Sequence, residues 1–89
     1  MVILIEMEME KRKNIVGIKI RAARLAEKPR ATQKDISARL EVQGTTLSDS
    51  AIGKIENGSC SVTDLQIYAF AKALKVSPEW LIQRDEIEE

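Results

Sequence analysis

One pattern recurs four times along the chain. An apolar residue precedes a serine or threonine, and a second apolar residue stands five positions after the first. The sets are Ala31-Thr32 with Ile36, Leu47-Ser48 with Ile52, Val62-Thr63 with Ile67, and Val76-Ser77 with Leu81. A hydroxyl at a helix start accepts from an amide that the first turn leaves unpaired. The apolar residue before it packs on the fourth helical residue and fixes the angle of entry. The pattern therefore predicts four helix starts. Gln66, three residues after Thr63, completes a capping box, and Asp35 is a weaker partner of the same kind for Thr32. Pro78 follows Ser77 at the first helical position, where a missing N–H costs nothing.

Another helix precedes these four, over about Asn14 to Lys28. Its Val16, Ile20 and Ala23 recur on one face of a 3.6-residue period, and Pro29 ends it. The second helix is expected over about Thr32 to Leu40, with Ile36 and Leu40 inward. The third spans about Ser48 to Asn57 and stops at Gly58, a residue able to take the left-handed conformation. The fourth, about Thr63 to Leu74, turns Ile67, Phe70, Ala71 and Leu74 to the core. The fifth begins at Ser77 and carries Trp80 and Leu81. The fold class is all-α, a compact five-helix domain over residues 14–84. Residues 1–13 form an N-terminal extension and residues 85–89 an acidic tail. "EMEME" in the extension alternates like a strand. Three readings of the extension stand: fraying, backward growth of the first helix, or pairing with a second copy. Met7 and Met9 are further candidates for the start of translation.

Composition narrows the chemistry. A chain of 89 residues is one small domain, which buries only roughly 60% of its unfolded surface and gains from oligomerisation. Aromatics at 3% leave no stacking platform for single strands. With no histidine, the commonest general base and metal ligand is missing. No glycine-rich phosphate loop and no metal-ligand spacing occurs either, so neither an enzyme nor a cofactor is expected, and no metal. The single Cys60 has no partner for an internal disulfide, which fits a reducing cytoplasm. No apolar run approaches the roughly 18 residues of a membrane span. "MVILIEMEME" lacks the positive start of a signal peptide.

The net charge of zero conceals an asymmetry. Residues 1–10 carry −3. Residues 11–58 hold 11 Lys/Arg against 5 Asp/Glu, or +6, and residues 59–89 hold 3 against 6, or −3. A basic centre between acidic ends points to an anionic partner for the centre.

The ordered set of helices also resembles a known family. "GIKIRAAR", "TQKDISARL", "SAIGKIENG" and "ALKVSPEWLI" are similar, in this order, to segments of the Cro/CI-type helix-turn-helix repressors, the Xre or lambda-repressor-like family. The resemblance runs from about Val16 to Ile82. It implies a lambda-repressor-like domain that binds double-stranded DNA. The helix over residues 48–57 would enter the major groove while the second helix crosses the phosphates. Position by position, it implies base reading by Asp49, Ser50 and Lys54, which share the sector opposite Ile52 and Ile55. It implies phosphate contacts for Gln33, which would also brace the recognition helix, and for Asn57. Arg24 and Glu56 match a structural ion pair between the first and third helices.

The chain also departs from the family pattern. "EVQGTTL" is about four residues longer than the usual turn. Gly44 gives it a flexible point, and Thr45 and Thr46 either reach a phosphate or belong to a loop that tilts the helix. Gly53 inside the recognition helix costs about 1 kcal/mol against alanine. It either permits close approach to the sugar-phosphate or is a plain absence of a side chain. Asp49 has two readings as well, an acid that favours the helix start or an acceptor for cytosine N4.

The function expected is a sequence-specific transcriptional regulator, a repressor, acting as a homodimer in the cytoplasm. Small size and Trp80, Leu81, Ile82 and Ile87 motivate the dimer, although Trp80 equally suits the monomer core. The alternative is a protein-binding module of the same fold, such as an antitoxin or an adaptor.

Overall fold

The computed structural model describes residues 11–83, and all regular structure among them is helical. The helices are α1 (Val16–Ala26), α2 (Gln33–Val42), α3 (Asp49–Glu56), α4 (Asp64–Leu74) and α5 (Pro78–Ile82). The readings made for residues 1–10, for Ile87 and for the tail 85–89 lie outside the described residues.

All four capped starts form. The hydroxyls of Thr32, Ser48, Thr63 and Ser77 accept from the amides of Asp35, Ala51, Gln66 and Trp80. Both capping boxes close, with Asp35 Oδ2 2.8 Å from the Thr32 amide and Gln66 Oε1 3.0 Å from that of Thr63. The bond from the Thr32 amide holds the Asp35 carboxyl below the usual carboxylate range. A cap of this kind stabilises a helix by about 1 kcal/mol. Ala31, Leu47, Val62 and Val76, the apolar residues before the caps, all join the core cluster.

Phe70, Ile20, Ile36, Leu40, Ile52, Ile55, Leu81 and Val16 are fully buried at its centre. Each such side chain contributes about 1.5–3 kcal/mol of apolar transfer. Ile67 and Ala23 are only half-buried, at the rim of the same cluster. α1 is shorter than the periodicity predicts. It begins at Val16 and ends at Ala26, two residues before Lys28. α2 is longer, because Glu41 and Val42 continue the helix past Leu40. α4 ends on Lys75, which takes the left-handed conformation (φ 62°) usually left to glycine.

Residues 12–14 also pack on the helices. Asn14 accepts from the Gly17 amide at 2.7 Å and so caps α1. Its side-chain amide donates to the carbonyls of Ile55 (3.0 Å) and Cys60 (2.7 Å). Arg12 donates to the Glu56 carbonyl at 2.7 Å, and the Lys13 amide to that of Gly58 at 2.9 Å. Residues 12–14 thus clasp the end of α3. The carbonyls of a last helical turn lack helical partners, and this clasp supplies them.

Candidate nucleic-acid interface

α3 is short and built from poor helix formers, so its packing rather than its propensity must hold it. Ile52 and Ile55 anchor one side in the core. Ser48 caps the start, and Gly58 turns the chain away at φ 81°. The long connection from α2 is ordered by its own bonds. Gly44 at φ 87° closes α2 in the left-handed conformation, with the Thr45 amide donating to the Leu40 carbonyl at 2.9 Å. The Ser37 hydroxyl donates to the Leu47 carbonyl, and the Gln43 side chain to Ala69 at 3.1 Å. Gly44 is therefore a helix stop, and the extra length of the turn is partly taken up by α2 itself.

A polar network fixes the opposite end of α3. Arg24 meets the Glu56 carboxylate in two bonds, Nε to Oε2 at 2.8 Å and Nη2 to Oε1 at 2.9 Å. Its Nη1 donates to the Ala31 carbonyl at 3.0 Å. The Gln33 amide donates to Glu56 Oε1 at 3.1 Å. The hydrogen bond to Glu56 raises the Arg24 pKa above its ordinary value, so the charge is permanent. One carboxylate thereby ties α1, the start of α2 and α3 together. The Arg24–Glu56 ion pair implied by the family pattern is present, and both residues are buried.

Gly53 lies directly beneath Gln33. A Cβ there would stand 3.3 Å from Gln33 Nε2 and 3.4 Å from Oε1. Of the two readings of Gly53, the described structure supplies a third cause. The missing side chain gives Gln33 room to lie on α3 and reach Glu56.

The remaining face of α3 is open. Asp49, Ser50, Lys54 and Asn57 are exposed. Ser50, Lys54 and Asn57 follow one another at steps of four and three, which places them on one stripe. Asp49 lies about 100° round from Ser50. Its Oδ1 accepts from the Ser50 amide at 2.9 Å, at the positive end of the helix. Asn57 Oδ1 accepts from the Ser59 amide at 2.9 Å and from the Ser59 hydroxyl. Thr46 is exposed and Thr45 half-buried in the connection leading to Ser48. Gln33 and Asn57 therefore mark the C-terminal end of α3, and Thr45 and Thr46 its N-terminal approach. The base-reading candidates lie between these two ends.

A helix-turn-helix family model matches residues 20–81, most of the chain, from within α1 to the last turn of α5. The chain belongs to the Cro/CI-type helix-turn-helix family. This is a DNA-binding, regulatory domain family. No curated protein and no solved structure compared with the chain matches it. In this helix-turn-helix domain α3 stands in the place of the recognition helix and α2 in that of the helix before it. No helix among the described residues is long and apolar enough to cross a membrane.

Several residues that shape the site have no role in the family pattern. Gly17 allows α1 to meet α3, since a Cβ there would lie 2.0 Å from the Ile55 carbonyl oxygen. Arg12 and Asn14 hold the end of α3 from outside the matched segment. Lys19, buried with 7% exposure, places its Nζ 4.9 Å from the centre of the Trp80 ring. Only the glycine inside "VGIK" hints at a close approach, because an interior helix glycine is otherwise a net cost.

Proposed function

We propose that the chain is a transcriptional repressor that reads a specific sequence in the major groove with α3. The observation that carries this reading is the open stripe of Ser50, Lys54 and Asn57 on a helix whose other sides are held by Ile52, Ile55 and the Arg24–Glu56–Gln33 network. A base-reading helix needs such rigidity, because a bidentate contact tolerates little misplacement. Ser50 and Lys54 meet base edges. Asp49 holds the helix start through its bond to the Ser50 amide, and its second oxygen is the acceptor offered to cytosine N4. Gln33, Thr45, Thr46 and Asn57 meet phosphates at the two ends. Gln33 keeps its bond to Glu56 and so orients the helix while it touches the backbone.

Selection of bound duplexes from a random pool tests the reading directly. A recovered consensus and an affinity that falls steeply with salt are expected. Salt-insensitive binding with no recovered sequence would instead favour the protein-binding module. Lys54→Ala is expected to cost about 1–3 kcal/mol on the selected site and to relax the preference at one position. An equal loss on every duplex would make Lys54 a phosphate contact.

A homodimer on a two-fold operator is part of the same reading. Leu81 does not contribute to its interface, being fully buried, and Trp80 packs on the monomer core beneath Lys19. Ile82, 48% exposed, and Leu65 and Tyr68 on α4, 79% and 66% exposed, belong to the apolar surface that remains among the described residues, together with Ile15, Ile18 and Val42. Sedimentation is expected to show a dimer, and a monomer throughout the micromolar range would overturn this part.

A further inference from the structure

The chain supplies charge to the end of α3 from a distant segment. The connection after α3, "NGSCSVT" over residues 57–63, contains no charged residue. The helix itself ends there in carbonyls, the negative end of its dipole, which disfavours a phosphate. Arg12 covers these carbonyls, with Nη2 2.7 Å from the Glu56 oxygen and 3.5 Å from that of Ile55. A Cβ on Gly58 would lie 2.8 Å from the Arg12 side chain, so Arg12 lies flat against the turn. The Lys13 amide donates to the Gly58 carbonyl, which seats Lys13 at the same turn, and Lys11 directly precedes the docked Arg12.

A third exposed cation arrives from α1. Gly17 and Arg24 both face the last residues of α3. Arg21 lies within about 60° of each around the helix. Lys11, Lys13 and Arg21 are exposed, and none of them enters an ion pair among the described residues. Asn57 is exposed at the end of the α3 stripe, one residue before Gly58.

We propose that Lys11, Lys13 and Arg21 form a phosphate-binding patch around the C-terminal turn of α3, which extends the DNA contact past the recognition helix. Arg12 offsets the carbonyl end of the helix, and the three exposed cations supply the surplus positive charge. The patch rests on the DNA-binding reading above and deepens it. It contributes affinity and register and carries no sequence preference, as phosphate contacts do.

The test uses the full chain, so that Glu6, Glu8 and Glu10 stay in place, and a selected duplex. Lys11→Gln, Lys13→Gln and Arg21→Gln are made singly and together, with Lys75→Gln on the turn after α4 as the control. Each contact removed should make the slope of log affinity against log salt shallower by about 0.9. The triple variant should therefore lose about 2–3 units of slope, keep the same consensus, and melt at the wild-type temperature. Lys75→Gln should leave the slope unchanged. Variants that keep the wild-type slope overturn the patch while leaving the DNA reading intact. So does a Lys75→Gln that lowers the slope as much as Lys13→Gln, since net charge alone then explains it. A wild-type chain that binds no duplex overturns the DNA reading and the patch with it.

Discussion

Arg24→Ala is expected to destabilise the domain by about 3–5 kcal/mol, as breaking a buried ion pair does. The Glu56 side chain is 3% exposed, and without Arg24 its remaining side-chain partner among the described residues is the Gln33 amide. The carboxylate then stays in the interior without its counter-charge, which costs more than the pair itself is worth. The Ala31 carbonyl also loses its donor, so the start of α2 loosens with it. A loss of this size is a large part of the roughly 5–15 kcal/mol that holds a small domain. Urea unfolding of Arg24→Ala checks it, and a loss under about 1 kcal/mol would place the pair among solvent-screened surface bridges. The paired replacement Arg24→Met with Glu56→Leu separates two causes. If the damage comes from the orphaned charge, the double variant recovers most of the stability. It should still bind DNA less well, because Gln33 has lost the acceptor that holds it on α3.

Gly17→Ala is expected to cost about 3 kcal/mol, at the upper end of what overpacking does. The new methyl would sit 2.0 Å from the Ile55 carbonyl oxygen, which is backbone and not the tip of a flexible side chain. α1 and α3 must then separate, which strains the Asn14 and Arg12 bonds to the same turn. The substitution gains about 1 kcal/mol of helix propensity, and the clash outweighs it. Thermal unfolding should show a fall of roughly 12–24 °C for a domain of this size. A melting temperature that rises would show that the helices stand further apart. Gly53→Ala is the instructive contrast, since its Cβ would meet only the end of the Gln33 side chain at 3.3 Å, and that side chain can swing away.

The helix starts are legible because capping is local. Thr32 and Asp35, or Thr63 and Gln66, stand three residues apart, and a turn of helix brings them together whatever the rest of the chain does. The core is legible for the same reason, since periodicity alone puts Ile36, Leu40, Ile52 and Ile55 on inner faces. The ends of α1 and α2 were harder to place. Asn14 caps α1 two residues outside it, and Gly44, which reads as a flexible point, is a left-handed stop that lets α2 run on to Val42.

The candidate site divides along the same line. Asp49, Ser50 and Lys54 are placed on the outside by helix period alone. The family pattern, rather than any local rule, joins Arg24 to Glu56 across 32 residues. The grip of Arg12 and Asn14 on the end of α3 spans 41 to 46 residues and leaves no mark in either segment. Trp80 shows the same limit. Composition permits it in a core or at an interface, and only the packing of α5 under Lys19 sets it against the core. From residues within a few positions of one another, the chain specifies five helices, their caps and their inner faces. Which helix ends meet, which glycine must be bare and which cations surround α3 depend on contacts between distant segments. These exist only once the helices have packed.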